Sequence, residues 1–199
     1  MSVSAARMGA GAATGPRAGI ETQGVMGRSQ PLQLVVDPVA HAEELARFET
    51  HVVRGPGAED CAIWTGAVGT DGYGRFWVGR GSDRIMVRPN RYALAAALEG
   101  EPLAPWVRAL HGCDNPACVR VSLPGEVGLL HIVGGTQRDN MVMMARAGRG
   151  GGRVPIRQGD NGLRARRERA VALREAVRHG WDGEAVAAAL LGSGDPTLW

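Results

Sequence analysis

His111-Gly112-Cys113-Asp114-Asn115-Pro116-Ala117-Cys118 gathers two of the chain's three cysteines and one of its five histidines into eight positions. Residues used so sparingly and placed so closely point to a metal, to histidine chemistry, or to both. A further histidine, His131, returns after an intervening loop, and Cys61 is the remaining cysteine. Zinc prefers four tetrahedral nitrogen and sulfur ligands, and a structural site fills all four from the protein. On spacing alone two ligand sets are open. In one, His111 joins Cys113, Cys118 and His131; in the other, Cys61 takes its place and leaves His111 free. The bland alternative is a pair of small buried cysteines in a turn, because a lone C-x4-C is not a strong zinc signature.

Working outward, apolar residues and short β-prone runs predict an α+β fold. Residues 1 to about 31 are rich in Gly, Ala, Ser and Pro and lack periodicity, which predicts disorder, and the N-terminal segment is drawn to residue 36. From Asp37-Pro38 a helix is expected, with Val39, Leu45, Phe48 and Val52 at helical spacing and an end near Arg54-Gly55. The runs CAIWTGA, GYGRFWV and RIMVR, separated by glycine-containing turns, predict an antiparallel meander. Pro89 opens the helix PNRYALAAALEG, and a short strand WVRAL then delivers the chain to His111. After the loop 119–130 comes a short apolar piece at His131-Ile132-Val133. Thr136 then reads as the N-cap of the helix QRDNMVMMARAG, beside which Asp139 reads as solvated or capping. Strand, loop, strand and helix in this order predict a ββα unit with His111 at the end of its first strand. Three further regions complete the organisation: a domain over 37–148, an Arg/Gly-rich linker over 149–169, and a C-terminal helical segment over 170–199, whose Trp181 and Trp199 read as packing residues.

The 199 residues are 44% hydrophobic but only 5% aromatic, with 30 glycines, which fits a globular domain with tails. All 23 basic residues are arginine, a bias that a GC-rich coding sequence also produces. A net charge of +3 permits a polyanionic partner without demanding one. Three cysteines are too few for a disulfide framework. The first residues lack an apolar export core, and no apolar run approaches a membrane span, so a cytoplasmic protein without a membrane partner is expected.

HGCDNPACVR followed by LLHIVGGTQRDNM resembles the HNH endonucleases of actinobacteria and phages, whose motif runs H-x-C-D/N-N-P-x-C-V-N-P-x-H-L-x-x-G-T-x-x-D/E-N-M. That group is similar to the His-Cys box homing endonucleases of the ββα-metal (His-Me finger) superfamily. CAIWTGAVGTDGYGRF resembles the family's C-W-x-W-T-G…G-Y-G-R-F segment, so the likeness runs in order over roughly residues 60–148. The resemblance implies a small antiparallel sheet plus a ββα-metal core stapled by structural zinc on Cys61, Cys113, Cys118 and His131. It implies a metal-dependent DNA endonuclease leaving 5′-phosphate and 3′-hydroxyl ends. His111 would be the general base, Asn140 the ligand of a single Mg2+, and Arg91 the contact to the scissile phosphate. Two departures stand out. Arg120-Val121 replaces the family's Asn-Pro after the second cysteine, followed by an insertion, and Leu110 stands where many HNH enzymes carry a metal-binding aspartate.

Double-stranded DNA is the expected partner, with a homodimer left open. Residues 146–178 carry ten arginines against Asp160, Glu168 and Glu175, a composition suited to phosphate contacts or to a solvated linker. Arg146, Arg149 and Arg153 in this arm, with Arg75 and Arg88 on the GYGRFWV and RIMVR strands, are the candidate DNA contacts. A zinc-stabilised DNA-binding protein without cleavage is the alternative expectation.

Overall fold

The computed structural model describes residues 33–146 and 159–191. The expected disorder of residues 1 to about 31, Arg149, Arg153 and Trp199 lie outside the described residues. The chain is α+β, with three two-stranded antiparallel sheets and five helices among the described residues.

Asp37 opens the first helical region as expected, its Oδ1 accepting from the backbone N–H of Val39 and Ala40 at 2.8 and 2.7 Å. The regular helix α1 covers only Ala42–Glu49. The expected continuation to Arg54 is replaced by a strand: β1 (Val52–Arg54) pairs with β2 (Ala62–Trp64), Val53 opposite Ile63. Two adjacent β-branched residues favour extended backbone over a final helical turn, and the Pro56-Gly57 turn brings β2 back alongside.

The expected meander also differs. β3 (Phe76–Arg80) pairs with β4 (Asp83–Val87), but β2 pairs with β1 rather than β3. Residues between β2 and β3 form their own tight turn, in which Gly69 N–H donates to Tyr73 O and Arg75 N–H to Ala67 O, both at 2.8 Å. Gly72 sits at φ +80° in this turn, a conformation that suits glycine. Along β3, Phe76 and Val78 face inward while Trp77 and Gly79 face out.

Helix α2 (Pro89–Ala96) starts on the proline that the sequence marks and buries most of its residues. It stops before Gly100, which takes φ +101° in the turn that follows. Both phenylalanines of the chain sit in the main core. Phe48 lies 5.2 Å from Trp64, 5.3 Å from Phe76 and 4.7 Å from Tyr92, centroid to centroid. Leu34 and Val36 are fully buried in the same core, Leu34 forming a β-bridge with Leu103. Ordered chain therefore reaches back into the segment drawn as N-terminal to residue 37, because two apolar residues there find a core to fill.

β5 (Arg108–His111) and β6 (Ile132–Gly135) pair antiparallel with His111 opposite Ile132, and α3 (Gln137–Arg146) lies against both. Thr136 caps α3. Its Oγ accepts from Asp139 N–H at 3.2 Å, and Asp139 Oδ2 accepts from Thr136 N–H and Oγ–H at 2.7 Å each. The strand–loop–strand–helix order expected around His111 is present.

Helix α4 spans Gly159–Ala176, so it begins well inside the stretch expected to be linker. Arginine, alanine, leucine and glutamate are all good helix formers, and Arg164 pairs with Glu168 one turn on at 2.7 Å. α4 packs with α5 (Gly183–Leu191) on the far face of β2, where Ile63, Ala117, Ala170, Leu173, Val177 and Val186 form a second apolar cluster. Trp181 is packed against that cluster. No helix among the described residues is long and apolar enough to cross a membrane.

Candidate metal centre and the histidine beside it

Backbone pairing, more than side-chain attraction, brings the cysteines together. Cys61 immediately precedes β2. Asn115 builds the loop's turn, its Oδ1 accepting from Ala117 N–H at 2.9 Å. Asp114 holds φ +55°, which short polar residues tolerate better than others. The loop then runs beside β2: Trp64 N–H donates to Ala117 O at 2.8 Å and Val119 N–H to Ala62 O at 2.7 Å. This sets Cys118 opposite Ile63, two residues from Cys61. His131 enters from the other side, its N–H bonded to Ser122 Oγ at 2.9 Å. At Gly112 the loop passes so close to Leu130 that a Cβ would lie 2.3 Å from its carbonyl oxygen.

The ligand atoms of Cys61, Cys113, Cys118 and His131 all lie within 4.8 Å of one another, and among the described residues they are the one such group of His, Cys, Asp or Glu. His131 Nδ1 is 3.7 Å from Cys61 Sγ and 3.6 Å from Cys118 Sγ. Zn–S and Zn–N bonds of about 2.3 and 2.0 Å at the tetrahedral angle place sulfur and nitrogen about 3.5 Å apart, so these separations match the edges of a zinc site. Cys118 and His131 are wholly buried, and His131 Nε2 has no partner among the described residues. A buried imidazole turning Nδ1 toward three sulfurs suits a metal better than an apolar core. Hydrogen bonds from Cys113 and Cys118 pull the Cys61 thiol down to about 4, while Cys113 and Cys61, with burial, push Cys118 up. Cys61 and Cys118 are thus pushed apart in acidity by their closeness, and a divalent cation would remove that conflict. The cluster can hold a metal such as zinc, and of the two ligand sets open on spacing it is the one containing Cys61.

His111 stands apart from this group. It is half-buried at the end of β5, and its Nε2 lies 2.9 Å from Asn90 Nδ2 on α2. Its Nδ1 is buried without a partner among the described residues. Asn140 lies on the first turn of α3, its Nδ2 reaching Met144 Sδ at 3.7 Å. Arg91 on α2 donates to the carbonyls of Val107 and, at 3.0 Å, Ala104, which fastens α2 to the chain entering β5. Burial, with Arg108 nearby, lowers its guanidinium below the ordinary value.

The departure at Arg120 has a structural counterpart. Arg120 donates to Asp60 O at 3.0 Å and to Glu126 Oε1 at 2.9 Å, while Glu126 Oε2 accepts from Leu123 N–H at 2.9 Å. The inserted loop is thereby tied to the residue before Cys61.

This chain is similar to a phage protein. "Protein 7.7" of Escherichia phage T7 is 34% identical to it over 91 residues, or 46% of this chain. The chain spans 59% of that relative's length. No family model and no solved structure matches.

Of the expected DNA contacts, Arg75 and Arg88 are joined to one carboxylate. Asp71 Oδ1 accepts from Arg75 at 2.8 Å and Oδ2 from Arg88 at 2.9 Å. Arg88 and Arg166 lie over the Tyr73 ring at 4.1 and 5.4 Å. Burial would raise the Asp71 carboxyl, but the Tyr73 N–H and the two arginines hold it below its ordinary value. Arg146 is exposed at the end of α3. Asn90 and Asp71 carry no sequence signal that marks them; both are found only through what they touch.

Proposed function

We propose that this chain is a metal-dependent DNA endonuclease of the HNH type with a structural zinc on Cys61, Cys113, Cys118 and His131. The observation that carries this reading is the position of His111. It ends a strand two residues before the first loop cysteine, and its ring stands outside the ligand cluster that fixes the loop. A neutral imidazole there can take the proton of a water attacking a phosphodiester. Bound Mg2+ would neutralise phosphate charge and stabilise the departing 3′ oxygen. Asn140, at the start of the helix packed on the His111 strand, offers an amide oxygen to such an ion. The remaining ligands would be water and phosphate, as is usual for magnesium. Arg91 supports the site by holding the chain that enters β5, and its unused donors can face a phosphate. Arg146, exposed at the end of α3, would contact double-stranded DNA, and Arg149 and Arg153, which follow it in the sequence, are further candidates.

The test is nicking of supercoiled plasmid by purified protein with and without added Mg2+, beside His111→Ala and Asn140→Ala. Omitting Mg2+ is preferable to adding chelator, which would also strip the cysteine site. Mg2+-dependent nicking is expected, reduced by at least about 100-fold in His111→Ala; no nicking by wild type on several DNAs overturns the reading. One observation favours a zinc-stabilised DNA-binding protein without cleavage: Nδ1 of His111 is closed off and Nε2 is already engaged by Asn90. DNA binding without any nicking would select it.

A further inference from the structure

We infer that Asn90 is the positioning residue of His111, selecting the imidazole tautomer in which Nε2 keeps its lone pair. The inference rests on the nuclease reading above for its purpose, though not for its test.

Asn90 is only 7% exposed, at the start of α2, and its amide contacts two groups at once. Oδ1 accepts from the Arg91 backbone N–H at 2.9 Å, and Nδ2 lies 2.9 Å from His111 Nε2. The oxygen and nitrogen of an amide are told apart by their partners. A backbone N–H can only donate, so the end of the amide facing Arg91 is the oxygen. The end facing His111 is then the NH2 group, which can only donate. His111 Nε2 must therefore accept, and in the neutral ring the proton sits on Nδ1. That nitrogen is buried, so it is also the one least able to meet water.

A general base needs a lone pair on the nitrogen that faces its substrate. The Asn90 amide supplies that condition by reserving Nε2 as an acceptor and by fixing the ring plane between α2 and β5. The attacking water then takes the place of the Asn90 N–H at Nε2 and gives its proton to that lone pair as the new P–O bond forms. The P–O3′ bond breaks, and O3′ departs with the electron pair and takes a proton from solvent water. An aspartate at position 90 would do the reverse. One carboxylate oxygen would still accept from Arg91 N–H, while the other would demand an N–H from Nε2 and move the lone pair to closed Nδ1.

The test uses the full chain labelled with 15N-histidine, purified with its metal, at about pH 8 where a free imidazole is neutral. His111→Ala identifies the His111 resonances. Wild type is expected to show the Nδ1–H tautomer at His111, Asn90→Ala a shift toward Nε2–H, and Asn90→Asp essentially Nε2–H. In the nicking assay Asn90→Ala should lower kcat on the order of tenfold at unchanged KM. Asn90→Asp should lower it by about a hundredfold or more, as wrong-tautomer variants of hydrolytic triads do. A purely packing role predicts the opposite order, since aspartate is nearly isosteric with asparagine. The Nε2–H tautomer in wild type, or greater activity in Asn90→Asp than in Asn90→Ala, overturns the inference. The wild-type spectrum decides even where a variant fails to fold. An Nε2–H tautomer in a protein that nicks DNA counts against this inference alone; an Nδ1–H tautomer in one that does not nick counts against the nuclease reading alone.

Discussion

At the scale of single residues, two histidines twenty positions apart have opposite surroundings. His131 is sealed among thiols, and His111 is held by an amide. Their roles separate experimentally. Cys118→Ser and His131→Ala should each lower bound zinc from about one per chain to well below one and lower the melting temperature, since structural zinc contributes directly to folding. His111→Ala should keep its zinc, and a loss of metal there would restore the ligand set that includes His111; metal analysis of reduced protein measures both. Asp71 offers a pH test. Its folded-state pKa is depressed, so its stabilisation is full above the unfolded value near ~4 and is lost as pH falls through the lower folded value. Asp71→Asn should therefore cost about 1–2 kcal/mol at pH 7 and less below pH 4, read by denaturant melts at each pH. The cysteines and His111 were legible because rare residue types in fixed spacing stand out against an Ala/Gly/Arg background. Asn90 was not, because its meaning lies in a contact 21 residues away that no local pattern encodes.

At the scale of elements, the sequence signals held where they were local and failed where pairing decided. Pro89 starting α2, Thr136 capping α3 and the β5–loop–β6–α3 order all follow from residues adjacent to the feature. The β1–β2 pairing is not legible in the sequence, because Val52 satisfies a helical stripe as well as a strand, and only the return of Ala62–Trp64 settles which. The beginning of α4 is hidden in the sequence, because arginine density reads as solvation, whereas Leu173 and Val177 share a buried face with Ile63. Thr136→Ala should cost about 1 kcal/mol by removing one half of the reciprocal cap, measurable by chemical denaturation. Phe48→Ala should cost about 3–5 kcal/mol, because three aromatic rings lose their common neighbour. Arg80 tightens the same region, its guanidinium paired with both oxygens of Glu44 at 2.8 and 3.0 Å to bind β3 to α1.

At the scale of the whole molecule, β2 is the shared wall between two cores. Ala62 and Trp64 enter one, Ile63 the other, and Cys61 marks where the candidate metal-ligand cluster begins. Ending the chain before α4 would expose Ile63 and Ala117, so a chain stopping at residue 158 should melt at lower temperature and bind a hydrophobic dye that the full chain does not. The four ligands also have a temporal meaning. Cys61 and His131 stand 70 residues apart, and closing a loop of that length costs roughly 4 kcal/mol of chain entropy. For a chain that takes zinc here, Cys113, Cys118 and His131 offer three ligands from one short stretch, and the fourth, Cys61, joins them only when β2 docks on that loop. For such a chain, completing the ligand set and docking β2 would be one and the same event.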